Sequence, residues 1–266
     1  MNFRSNLSFG DRAFAEHFLA WYAAPPGSLI ADFERQLLGR ALPDLFGYHL
    51  LQLGCHHVED LLASSRITHQ VLIDLGPTLN PRAQLHCVED ALPLAPNSID
   101  VLLLPHVLEF AADPHRVLRE AERVLIGEGH LVILAFNPWS WFGLWSLLAR
   151  WRGHAPWGGR FIAVARVKDW LQLLGFDILR IERAAYRPPL RSAAFNRRLE
   201  FMDRLGAFCW PWFGNVFLIV ARKRVEGMTP LKASWRQRRR LLAGGVIEPS
   251  TRGCWRPSGE SERRRG

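Results

Sequence analysis

The stretch Ala91–Pro138 reads ALPLAPNSIDVLLLPHVLEFAADPHRVLREAERVLIGEGHLVILAFNP. Within it, Ile99–Leu104 is apolar at every position but Asp100, as expected of a strand covered on both faces. Asp113 and Pro114 then open a helix. An aspartate there accepts from the free N–H groups of the first turn, and proline has no N–H to leave unpaired. Leu118, Ala121, Val124 and Leu125 recur at helical spacing, so the helix is predicted to run to Leu125 and to end at Gly127 and Gly129. His130–Phe136 is a second buried strand. Strand, helix and strand in that order form a parallel pair with a crossover helix.

The same alternation extends both ways. Asp11–Ala24 reads as a helix, with Phe14, Phe18, Trp21 and Tyr22 at helical spacing. Pro25-Pro26-Gly27 breaks it, and Ser28 is placed to cap a second helix ending near Ala41. His49–Leu53, Gln70–Leu75 and a short Leu85–Val88 read as strands. Beyond the quoted stretch come a helix over Val167–Leu174, a strand over Phe176–Ile181 and a strand over Asn215–Ala221. The pattern predicts an open α/β domain. Ligands of such sheets sit at the carboxyl ends of the central strands, which singles out Gly54, Asp74, Glu89, Asp90, Pro105 and His106.

Composition sets limits. The 266 residues are 48% hydrophobic and 22% charged, which is ordinary globular usage. No window of about 20 residues is apolar and uncharged, so no transmembrane helix is expected, and the first ten residues do not resemble a signal peptide. Cys55, Cys87, Cys209 and Cys254 show no paired spacing and fit a reducing cytoplasm. The net charge of +9 sits entirely beyond Ala221: Arg222–Gly266 has 13 Lys+Arg against 4 Asp+Glu, whereas residues 1–221 have 21 of each.

The Ala91–Pro138 run resembles the corresponding segment of class I S-adenosylmethionine-dependent methyltransferases, from the "ALP" motif through the strand–helix–strand that follows. It is most similar to the type-11, quinone-biosynthesis-like branch. Over residues 28–225 the chain looks most like the YafS-like bacterial group. The resemblance implies a doubly wound Rossmann-like α/β fold: a seven-stranded sheet, six strands parallel and one antiparallel, with helices on both faces. It divides the chain into N-terminal helices over the cleft (1–47), the methyltransferase-like domain (48–224) and a basic tail (225–266). It implies S-adenosylmethionine as cofactor and a small, apolar acceptor.

Physical logic agrees at two positions. Gly54 after the first strand admits a ligand close to the backbone, and Asp74 follows it by 20 residues, the separation that places an acid on a ribose. The resemblance assigns the ribose to Asp74 and the adenine side to Glu89 or Asp90. The cofactor loop departs from the family's three-glycine pattern. It reads Gln52-Leu53-Gly54-Cys55-His56-His57-Val58, with Gln52 in place of the acid and one glycine left. That departure implies weakened cofactor binding and opens an alternative: a pseudoenzyme that kept the fold as a binding module.

His106 follows the fourth strand and is the candidate general base or substrate contact, since a histidine titrates near neutrality. It could instead only pack at the cleft edge. Cys55-His56-His57 is too compact to hold one tetrahedral ion, so no metal is expected. Asn137–Trp157 holds five tryptophans. They are read as a lid over residues 138–160, as a membrane-surface segment that would place the protein peripherally at the inner membrane, or as a helix packed on its own domain. The tail is read as solvated and disordered, or as a non-specific anchor for nucleic acid or anionic membrane, with Trp235 and Trp255 among its arginines.

Overall fold

A computed structural model describes residues 12–54, 60–75, 83–88, 91–149, 157–190 and 198–225. Cys55, His56, His57, Glu89, Asp90 and the tail from Glu226 onward lie outside the described residues.

The sheet is built around β4 (Ile99–Pro105). Val101 to Leu104 are all fully buried, so both faces of the strand are covered. On one side lie β1 (His49–Leu53), β2 (His69–Asp74) and a two-residue edge, β3 (Leu85–His86). On the other lie β5 (Leu125–Phe136), β7 (Val216–Lys223) and β6 (Phe176–Ala184). The order is β3-β2-β1-β4-β5-β7-β6. Six of these strands have five residues or more and form the body of the sheet. Every pairing is parallel except those of β7, which runs antiparallel to both β5 and β6.

Among the described residues, seven helices surround it. They are α1 (Arg12–Tyr22), α2 (Gly27–Ala41), α3 (Val107–Phe110), α4 (Pro114–Val124), α5 (Trp141–Ala149), α6 (Val164–Leu173) and α7 (Phe201–Cys209). Asp113 caps α4 as expected, accepting from the His115 N–H at 2.9 Å and the Arg116 N–H at 3.4 Å.

Several boundaries differ from the sequence reading. Gly127 and Gly129 do not end a helix in a loop. They lie inside β5, because Leu125 already pairs with Ile99 and a bulge absorbs the residues between that pair and the His130–Val101 pair. Ser28 lies within α2 instead of capping it, since the helix starts one residue earlier, at Gly27. α6 begins at Val164 and β6 continues to Ala184, both longer than periodicity indicates. The segment between β6 and β7 carries an unanticipated helix, α7, and a 3-10 turn over Pro211–Phe213.

Removing the α4 cap with Asp113→Ala should cost about 1 kcal/mol. Asp113→Asn, which keeps an acceptor, should recover most of it in urea denaturation. Equal losses for the two variants would show that the cap oxygen contributes nothing.

Candidate active site

Register brings the carboxyl ends of three central strands side by side. Leu53 pairs with Ile73, and Gln52 pairs with both Leu72 and Leu103. One and two residues further on, Gly54 therefore stands between Asp74 and Pro105. The Gly54 N–H donates to the Ile73 carbonyl at 2.7 Å. Its φ of +90° is a conformation that only glycine adopts without strain. Gln52 is buried and its Nε2 donates to the Gly54 carbonyl at 2.9 Å. The amide thus braces the turn at the strand end. Asp74 is buried, and its Oδ1 accepts from the Leu75 N–H at 2.8 Å. Of the predicted site residues, Gln52, Gly54, Asp74 and Pro105 are brought together.

His106, the next residue, has a different surrounding from the one its position suggested. It is 0% exposed, with a left-handed backbone (φ +55°). Its backbone N–H donates to the Leu134 carbonyl at 2.8 Å, one bond beyond the end of β4. Both ring nitrogens are engaged: Nδ1–H donates to Glu109 Oε1 at 2.9 Å and Nε2–H to Glu34 Oε1 at 2.8 Å. Glu109 Oε1 also accepts from the Phe136 N–H at 2.7 Å, and the Tyr22 hydroxyl donates to Glu34 Oε1 at 3.2 Å. The Phe136 ring lies 4.1 Å from the imidazole, centroid to centroid, close enough to favour a cation. Neither nitrogen is left for a substrate.

Burial pulls the His106 pKa down, but the Glu34 and Glu109 carboxylates outweigh it and push it up to about 10. The ring is therefore an imidazolium at neutral pH. Tyr22 is pushed well above its ordinary value, first by burial and then by the Glu34 charge. This cluster ties α1 and α2 to the ends of β4 and β5. The sequence carried a signal for it. Glu34 stands on the buried stripe of α2 among Ile30, Leu37, Leu38 and Ala41, where a lone carboxylate needs a partner. Glu109 stands likewise in the fully buried α3.

A second feature lies at the same end of the sheet, over β5, β6 and β7. A cavity of about 310 Å³ is lined by Trp141, Tyr186, Met202, Leu205, Gly206, Trp210 and Phe213. Asp203 of α7 accepts from the Tyr186 N–H at 2.9 Å and pairs with Arg187, which fixes α7 after β6. Gly206 lets α7 approach, because a Cβ there would lie 2.6 Å from the Tyr186 Cβ. Buried amides join the loops. Asn137 Nδ2 donates to the Trp212 and Gly214 carbonyls at 2.7 and 2.9 Å, and Asn215 Oδ1 accepts from the Phe142 N–H at 3.2 Å. Within the tryptophan segment, α5 buries Phe142 and Ser146 and turns Trp145 and Leu147 outward. The cavity residues beyond Trp141 escaped the sequence reading, because the apolar repeat of α7 faces outward and marks no buried face.

Comparison with known proteins agrees with this geometry. A family model described as a methyltransferase domain matches residues 51–133. The Escherichia coli K12 protein YafS is 36% identical over 241 residues, covering 89% of this chain and 93% of its own. The chain belongs to the YafS-like group of the class I S-adenosylmethionine-dependent methyltransferase superfamily. Solved structures share the fold. A methyltransferase from Thermotoga maritima, described as a possible histamine N-methyltransferase, superposes with a TM-score of 0.58 at 16% identity, over 79% of this chain and 97% of that one. A methyltransferase from Archaeoglobus fulgidus gives 0.51 at 20% identity, over 72% of this chain and 94% of that one.

The family implies S-adenosylmethionine, and the residues present fit its ribose end. A buried carboxylate at the end of β2 stands next to a strand end with no Cβ and positive φ.

A group whose folded pKa is raised contributes stability that is complete below its unfolded pKa and lost as pH rises through the folded one. The His106 contribution should therefore be full below about pH 6.5 and fade toward about pH 10. His106→Gln strands two buried carboxylates and should cost about 3–5 kcal/mol. The urea midpoint of the native protein should fall across that pH window while that of the variant falls much less. Parallel pH profiles would contradict the charged-cluster assignment.

Proposed function

We propose that the protein transfers a methyl group from S-adenosylmethionine to a small apolar acceptor. One observation carries the reading: a single sheet end holds Gly54 just after β1, Asp74 at the end of β2, and an apolar cavity on the elements that follow β5 and β6. A ligand of open α/β sheets occupies this end.

When bound, S-adenosylmethionine supplies a methyl carbon on a positively charged sulfur, open to in-line displacement. The residues of the chain bind and orient. Asp74 accepts from the two ribose hydroxyls, and Gly54 clears the backbone where the cofactor passes. Gln52 holds the Gly54 carbonyl in place, and Pro105 closes the floor between β4 and β1. Glu89 or Asp90 serves the adenine side. The cavity takes the hydrocarbon part of the acceptor and excludes water, so that most of the rate comes from placing two reactants together. His106 acts as a positioning residue: its charge is spent on Glu34 and Glu109, which fixes the loop after β4 and the helices above it. α5 forms one wall of the acceptor cavity, in place of a free lid. The protein works in the cytoplasm, and its basic tail adds a non-specific contact to polyanions.

Titration calorimetry tests the cofactor half. S-adenosylmethionine and S-adenosylhomocysteine should both bind, and Asp74→Ala should weaken them about ten-fold or more, the loss of a hydrogen-bonded charge. No heat from either ligand at millimolar concentration would turn the reading to a binding module without cofactor. Unchanged affinity in Asp74→Ala would move the ribose elsewhere.

A further inference from the structure

Every exposed tryptophan among the described residues lies in one region, formed by α5 and the α7–3-10 unit. Trp139 is 74% exposed, Phe208 87% and Trp212 71%, with Trp145, Leu147 and Trp210 also outward. The two units are neighbours. The Trp141 ring meets Phe213 edge-on at 5.6 Å, and both residues line the apolar cavity together with Leu205 and Trp210. Asn137 binds the carbonyl of Trp212 while its own Oδ1 accepts from the Trp139 N–H at 3.1 Å, which joins the two exposed rings to one buried amide. Folded chains rarely leave so much contiguous apolar surface in water without a partner.

Charge identifies the partner. Between Asn137 and Lys168 there are five Arg or Lys and no Asp or Glu. Between Arg183 and Leu199 there are five Arg and again no acid. Residues 1–221 are balanced as a whole, yet residues 137–213, which carry the aromatic face, hold 12 Arg or Lys against 5 Asp or Glu. A second copy of the chain would set arginines against arginines. Nucleic acid would suit the arginines and the rings, but not Leu144, Leu147, Leu205 and the aliphatic side of the patch. An anionic bilayer satisfies all three features: tryptophans at the headgroup level, leucine and phenylalanine below it, arginines on the phosphates. Among the described residues no helix is long and apolar enough to cross a membrane. Helices α5 and α7 each have nine residues and suit lying in the interface plane.

We infer that the α5–α7 aromatic face docks the protein on an anionic lipid bilayer, with the cavity bordered by Trp141, Leu205 and Trp210 opening toward the lipid. The acceptor class follows, resting on the methyl-transfer reading: a molecule with a hydrocarbon chain dissolved in the bilayer, which enters the cavity without crossing water.

The full-length protein, without cofactor, is sedimented with vesicles of phosphatidylcholine alone and of phosphatidylcholine with phosphatidylglycerol. It should bind the second much better, and brominated acyl chains should quench its tryptophan fluorescence. The surface variant Trp212→Ser/Phe208→Ser, checked for native circular dichroism, should lose about ten-fold or more in vesicle affinity, since two rings no longer enter the hydrocarbon. Asp74→Ala should bind vesicles as the native protein does, so failure of the cofactor site leaves this result unaffected. The inference is overturned by absence of vesicle binding, by binding that the double variant retains in full, by concentration-dependent dimerisation through these residues in its place, or by capture of oligouridylate without capture of vesicles.

Discussion

A charged imidazole buried away from water must be met by carboxylates, and the placement of His106 follows from that requirement. It sits at the first residue after β4 with one carboxylate from α2 and one from α3, and a hydroxyl from α1 completes the set. Removing the imidazolium strands two buried carboxylates, so these elements are held in one arrangement. The consequence reaches both halves of the sheet end. Pro105 on one side of His106 stands beside Gly54. Glu109, which binds the ring, also takes the Phe136 N–H and so fixes the start of the loop leading to α5.

The carboxyl edge of the sheet is thereby divided. β1 and β2 present a turn without a side chain and a buried acid, which are means of holding a polar, hydroxyl-rich ligand. The elements after β5 and β6 present aromatic walls and almost no polar atoms, which are means of holding hydrocarbon. Between them stands the charged cluster, sealed by Phe18, Phe136 and Phe110. The proposed reaction, with a polar cofactor and an apolar acceptor, would call for this separation, because each ligand would be poorly solvated in the other's site.

The sequence disclosed these parts unequally, for physical reasons. The strand–helix–strand from Ile99 to Phe136 was legible because burial on both faces demands continuous apolar runs and because Asp113-Pro114 is a strong helix start. Asp74 was legible from its distance to Gly54. The surroundings of His106 were not: its partners lie 72 residues before it and three after, and a histidine at a strand end reads alike whether it faces solvent or two glutamates. The β5 boundary was missed because Gly127 and Gly129 are breakers in a helix but tolerated in a bulged strand. α7 was missed because its exposed Phe201, Leu205 and Phe208 repeat at helical spacing toward water instead of toward the core, so the pattern did not mark a buried face.

The most direct measurement is a crystal structure of the full chain with S-adenosylhomocysteine. The ribose hydroxyls should lie on the Asp74 carboxylate, the chain of the ligand should pass over Gly54, and the sulfur should turn toward the β5–β6 side of the sheet end. Ligand density away from Asp74, or a sulfur turned away from the apolar cavity, would contradict this placement.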